Sequence, residues 1–260
     1  MSSHLIEFLE FAGVGVLAQL VDGALGMGYG VVCSTVLMSM GVLPASVSAS
    51  VHAAKVATGA ASAVSHVAHR NVDRALLIAL SLGGVAGGVV GAYVLTNIDG
   101  KKIQPFVTAW LAFMGLIILW RAWKGTRPRV MGGAKPFPLG LVGGLFDAIG
   151  GGGWGPVVTS TLLGVGADPR KTIGTVNTAE FFVAAAISAT FLYPMLHGWK
   201  AAGLDGMAWS IAGLVGGGIV AAPIAGWTTK VLPLRLLTWM TGFLVVGLAL
   251  WQGIQLARHP

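Results

Sequence analysis

Charge is what this sequence has least of. Only 10% of its 260 residues are Asp, Glu, Lys or Arg, and the mean hydropathy is +0.81, whereas soluble proteins carry about 25% charged residues. That scarcity excludes a soluble globular domain and points to an integral membrane protein. There is one cysteine, Cys33, so an internal disulfide is excluded, and within its apolar run it reads as a small buried hydrophobe. The N-terminal segment carries Glu7 and Glu10 and no Lys or Arg. Without the basic flank of a cleavable signal peptide, the first segment is expected to belong to the mature protein. Nucleophile elbows, zinc-protease motifs and cysteine–histidine clusters are also missing, so no enzyme activity and no cofactor are expected. His66 and His69 share a helix face but lack a third ligand, so no metal site is expected.

What the chain has is glycine and long apolar runs. Most of its 40 glycines lie inside apolar stretches that cover residues 5–41, 45–68, 75–97, 103–123, 137–166, 172–195, 207–229 and 234–257. Most are near the roughly 20 residues of a spanning helix. Pro44 and Pro169 open the second and sixth stretches, and Pro105 and Pro233 sit at the starts of the fourth and eighth, where a helix tolerates the missing N–H. The net charge of +7 is spread over short loops and not along one helix face, so the partner it implies is a lipid bilayer, not a nucleic acid.

A second pattern divides the chain in two. Asp22-Gly23-Ala24-Leu25-Gly26-Met27-Gly28-Tyr29-Gly30 recurs 125 positions later as Asp147-Ala148-Ile149-Gly150-Gly151-Gly152-Gly153-Trp154-Gly155. The match continues through Leu37 and Leu162, Gly41 and Gly166, Pro44 and Pro169, Val51 and Val176, and Ala54 and Ala179. Further on, Gly83 to Gly88 resembles Gly213 to Gly218, and Leu119-Trp120 resembles Leu250-Trp251. The expected architecture is therefore an all-α polytopic membrane protein of two homologous four-segment halves, residues 1–126 and 136–260, joined by a basic linker at 127–135.

The orientation of the halves follows from the first and fifth segments. If these cross the membrane, the halves are parallel and the basic residues divide nine to six between the two sides. If they are broken, re-entrant segments, the halves are inverted. Arg70, Arg74, Arg121, Lys124, Arg127, Arg129, Lys135, Arg170, Lys171, Lys230 and Arg235 then face Lys101, Lys102, Lys200 and Arg258, eleven against four. The steeper asymmetry favours inverted repeats with a cytoplasmic linker. The 13 residues from Phe137 to Ile149 give about 20 Å of helix, too short to span by themselves, which permits a hairpin.

Ionisable side chains deep in apolar runs are the candidate site. Lys55 and Glu180 each lie 11 residues beyond a segment-opening proline, about 16 Å of rise and near the midplane. An isolated charge there costs at least about 2.5 kcal/mol. Two readings stay open: a buried ion pair joining the halves, or a direct part in substrate or proton binding. His52 and Asn177 precede them by three residues, on the same helix face. At the two glycine motifs, Gly28, Tyr29, Gly30, Gly153, Trp154 and Gly155 stand where a half-helix restarts, and first-turn N–H groups there can hold an anion. Asp22 and Asp147 either carry charge at that site or cap the broken backbone. The spacing Gly150-x-Gly152-x-x-Gly155 mimics a dinucleotide fingerprint, but no strand precedes it.

The paired glycine motifs, the Gly-x2-Pro punctuation at Gly41–Pro44 and Gly166–Pro169, and Asn71-Val72-Asp73 after the second segment together resemble the TauE/SafE sulfite exporter family over nearly the whole chain. The resemblance implies a bacterial inner-membrane permease for sulfite or a small organosulfonate. The expected mechanism is proton-coupled export by alternating access. An anion channel with a glycine filter is the alternative. A homodimer is an open alternative to the monomer, because the glycine-spaced third and seventh segments can pack internally or between copies.

Overall fold

The computed structural model describes residues 3–124, 135–165, 167–197, 208–231 and 234–258. Apart from Lys135, the linker 127–135 lies outside the described residues, as do Gly166, Lys200 and Pro233. Every regular element among the described residues is helical. The first half comprises α1 (Ser3–Leu25), α2 (Tyr29–Ser39), α3 (Pro44–Ala68), α4 (Arg74–Asn97) and α5 (Gly100–Lys124). The second comprises α6 (Pro136–Gly150), a π-helical turn (Gly155–Thr159) running into α7 (Ser160–Gly164), α8 (Pro169–Leu196), α9 (Ala208–Val231) and α10 (Leu234–Arg258).

Five stretches are long and apolar enough to cross a membrane: His4–Gly23, Arg74–Asn97, Gly100–Lys124, Arg170–Leu196 and Thr238–Arg258. Large apolar side chains such as Leu82, Phe113, Trp123 and Phe243 point outward, an arrangement suited to lipid and unfavourable in water. α3 is different. Ser46, Ser48, Ser50, His52, Lys55 and Thr58 are all buried on it, so this helix carries its polar face into the protein.

Equivalent helices run in opposite directions. Where α3 meets α8, Gly59 faces Phe181, and from the first turn of α8 Arg170 donates to Asn71 at 2.6 Å and Lys171 to the Arg70 carbonyl at 2.9 Å, both just past the end of α3. The end of α3 thus lies beside the start of α8. Likewise Gly115 of α5 meets Val245 of α10, and Arg235 donates to the Ala122 carbonyl at 2.9 Å. In contrast α6 runs parallel to α4, with Gly83, Gly87 and Gly91 meeting Phe137, Leu141 and Leu145 in turn, and α1 runs parallel to α9, with Gly213 and Gly217 on Phe8 and Ala12. Both glycine rows therefore pack inside this chain. A Cβ at Gly87 or Gly217 would collide with the Leu141 or Ala12 carbonyl. Only a side chain of one hydrogen lets these backbones approach so closely.

These directions turn the first and fifth segments into hairpins. The start of α8 lies beside Arg70 and α6 runs in the direction of α4, so α6 and α7 form a hairpin that opens towards the end carrying Arg70, Arg74 and Arg170. The starts of α1 and α3 lie at the opposite end, so α1 and α2 form the matching hairpin from that side. The turns depend on left-handed backbone at equivalent glycines, Gly26 with φ 66° and Gly151 with φ 65°, a region that costs L residues about 1–2 kcal/mol. The copies then diverge. Gly28 adds a second positive φ of 132° before α2, whereas the second hairpin restarts through the π-helical turn at Gly155.

Candidate functional site

The two hairpins pass each other in the middle of the molecule with backbone against backbone. Gly30 at the start of α2 is packed on the Gly151 carbonyl and Gly152, and Gly155 is packed on Met27. Each tip reaches the helix start of the other half, Gly26 lying on Ile173 and Gly151 on Ser34 and Val47. Side chains lock the crossing. Thr159 donates to the Gly26 carbonyl at 2.9 Å, the Trp110 indole to the Gly152 carbonyl at 3.3 Å, and Arg121 to Ser160 at 2.8 Å.

Asp147 organises the second tip. One carboxylate oxygen accepts the Gly153 and Trp154 N–H groups at 2.8 and 3.1 Å, capping the restarted helix. The other oxygen faces His52 Nε2 at 3.0 Å and Lys55 Nζ at 2.9 Å. His52 turns its other ring nitrogen to the Ser48 carbonyl at 2.7 Å, while the Ser48 hydroxyl donates to the Ala148 carbonyl at 2.5 Å. Asp22 does the equivalent backbone work at the first tip with a single bond, accepted from Tyr29 N–H at 3.2 Å. Three of the amides expected to be open to an anion, those of Tyr29, Gly153 and Trp154, are thus taken by the two aspartates. The reason is proximity: a carboxylate one helical turn before the break is tethered beside the amides it caps. The first-turn amides of Gly30 and Val31, which have no acceptor within their own helix, border the cleft described next.

Lys55 is the hub. Its Nζ lies 2.9 Å from Asp147 and 2.6 Å from Glu180, with only 4% of its side chain exposed. The two charged residues singled out deep in apolar runs are therefore in contact, and Asp147 joins them as a third member. A narrow cleft between the hairpins is lined by Gly28, Gly30, Val31, Gly152, Gly153, Gly155 and Pro156 together with Asp22, Lys55, Asp147 and Glu180. A second narrow cleft is bounded by Gln19, Tyr29, Thr58, Gly59, Ser62 and Asn177. Asp22, Lys55 and Glu180 line both, so the charged cluster stands between the two spaces.

The structure therefore draws ten of the twelve residues singled out from the sequence onto these clefts. The other two stand behind them. His52 is fully buried against Asp147 and Ser48, and the Trp154 ring packs on Gly84 with its indole donating to the Val176 carbonyl at 3.0 Å. Gln19, Thr58 and Ser62 were not foreseen, because an uncharged polar residue on a helix gives no signal of which way it faces. Arg121, counted among the eleven basic residues of one side, turns inward to the hairpins.

The profile of the sulfite exporter TauE/SafE family matches residues 11–251. The probable membrane transporter protein YtnM of Bacillus subtilis (strain 168) is 40% identical over 232 residues, which span 86% of this chain and 75% of that protein. No solved structure matches the chain.

Proposed function

The chain belongs to the sulfite exporter TauE/SafE family, a multi-pass membrane transporter by that membership and by its apolar helices, and from this premise we propose that it exports a small sulfur oxyanion. The cargo is sulfite or a related organosulfonate, and it crosses the bacterial inner membrane by proton-coupled alternating access with no catalytic step. The two halves act as inverted repeats, and the linker and the basic ends of α3, α5 and α8 face the cytoplasm. The opposed directions of α3 and α8 and of α5 and α10 support that topology, as does the eleven-to-four distribution of basic residues.

The observation that carries the reading is the crossing of two glycine hairpins at a polar cleft in the centre of the molecule. Discontinuous helices meeting there put first-turn amides at a site reachable from either half. A cargo bound between the halves is exposed to one side or the other as they rock. Everted membrane vesicles accumulating radiolabelled sulfite provide the test. Accumulation is expected to saturate with sulfite and to follow an imposed pH gradient. Equal uptake with and without the protein under every gradient would end the proposal, and large unsaturable currents would replace the transporter by a channel.

A further inference from the structure

The central cluster has a charge problem for a protein that admits an anion. Asp22, Asp147 and Glu180 surround the single ammonium of Lys55, and all four border the cleft between the hairpins. An oxyanion entering this cleft meets three carboxylates in a poorly hydrated site, where like charges repel strongly. The carboxylates are not equally committed. Asp147 is held by two backbone amides, by His52 and by Lys55. Glu180 is held by Lys55, its side chain is 15% exposed, and it borders both clefts. Lys55 Nζ in turn lies next to Gly30, 3.3 Å from where a Cβ on that residue would be, hence beside the α2 first-turn amides.

The geometry points to Glu180 as an internal competitor for the anion: its carboxylate occupies the face of Lys55 that the cargo needs, and a proton on Glu180 releases Lys55 to the cargo. This rests on the transporter reading above and assigns the coupling step within it. Asp147 stays bound to Lys55 throughout as its permanent counter-ion. The exchange balances: one carboxylate loses its charge to a proton from water as one monoanion arrives, so the cluster's net charge is unchanged. The groups facing Glu180 are Lys55 from α3, Asp22 from α1, Asp147 from α6 and Tyr29 from α2. The π-helical turn and α7 carry no titratable residue, and those of α4, Arg74 and Tyr93, lie towards its two ends. His52 reaches Asp147, and His66 lies 3.5 Å from Asn177, which also borders the second cleft. Because proton and anion binding are linked reciprocally, each must change the other's affinity by the same factor.

Methanesulfonate is the probe, since it remains a monoanion over the whole pH range and any pH dependence then belongs to the protein. Binding to the purified full-length protein is measured by thermal shift from acid to alkaline pH. Wild type is expected to bind more weakly as pH rises. Glu180→Gln is expected to bind about tenfold more tightly than wild type at alkaline pH, with the pH slope lost. Glu180→Asp, which keeps a titrating group, is expected to keep the slope. In weak buffer, wild type is expected to take up protons from solution as methanesulfonate binds, a readout that needs no variant. Proton-neutral binding, or a Glu180→Gln slope parallel to that of wild type, would overturn the competitor role while leaving an anion transporter. Failure of wild type to bind methanesulfonate, sulfite or thiosulfate at any pH would overturn the site itself, and the competitor with it.

Discussion

Asp22 and Asp147 are repeat equivalents, yet the structure predicts that losing the charge of each has very different consequences. Asp147→Asn replaces an acceptor that takes Gly153 N–H, Trp154 N–H and Lys55 on one oxygen and His52 and Lys55 on the other. An amide has one oxygen and one NH2, so either orientation sets the NH2 against the Lys55 ammonium, and one of them also sets it against the Gly153 and Trp154 N–H groups. Each buried donor left unsatisfied costs about 1–3 kcal/mol, and removing one partner of a buried ion pair costs about 3–5 kcal/mol. The two figures describe the same groups, and Glu180 still neutralises Lys55, so a total near 3–5 kcal/mol is expected. Asp22→Asn keeps an oxygen for its single bond from Tyr29 N–H at 3.2 Å, and its expected cost is about 1 kcal/mol or less. Melting of the two variants in detergent at one scan rate checks this, because unfolding of such proteins is often irreversible. Asp147→Asn should lower Tm by on the order of 10 °C and Asp22→Asn by a few degrees at most. Equal shifts, or a larger one for Asp22→Asn, would refute the claim that the second aspartate alone holds the hub.

Two further outcomes follow from the packing and from the hairpins. Gly87→Ala and Gly217→Ala put a methyl into the Leu141 and Ala12 carbonyls and are expected to cost about 1–3 kcal/mol each in overpacking. Gly247→Ala, with nothing within 4 Å, should change stability by no more than about 0.5 kcal/mol, and the yield of folded protein separates the three. Cys33 is fully buried, so in a Cys33→Ala background an impermeant maleimide should label Ile98→Cys from outside intact cells and Arg74→Cys only in everted vesicles. Labelling of both from one side would remove the proposed topology.

Much of the site was legible because membrane burial makes certain residues conspicuous. An aspartate or lysine inside an apolar run is expensive, so Asp22, Lys55, Asp147 and Glu180 stand out against their neighbours without any coordinates. Glycine clusters in lipid are equally telling, since an interrupted helix has no water to satisfy its backbone. Ser48, Gln19, Thr58 and Ser62 gave no such signal, because a hydroxyl or amide on a helix can bond to its own turn or face any neighbour.

The sequence by itself determined the membrane class, the repeated glycine motif, the positions of the helix breaks and the list of charged residues deep in apolar runs. These are local or periodic properties, set by hydropathy, glycine and the 125-residue repeat. Partnership was decided only by the tertiary structure. Lys55 and Glu180 are both one turn beyond a histidine or an asparagine, and nothing in that spacing says that Asp147, more than 90 positions from Lys55, completes the cluster. That contact exists because the hairpin from the second half passes beside α3 of the first, bringing a capping carboxylate against a lysine that needs a counter-ion. Equivalent motifs thereby acquire unequal tasks: one aspartate is saturated with donors, while its equivalent keeps a single bond at the edge of the cleft.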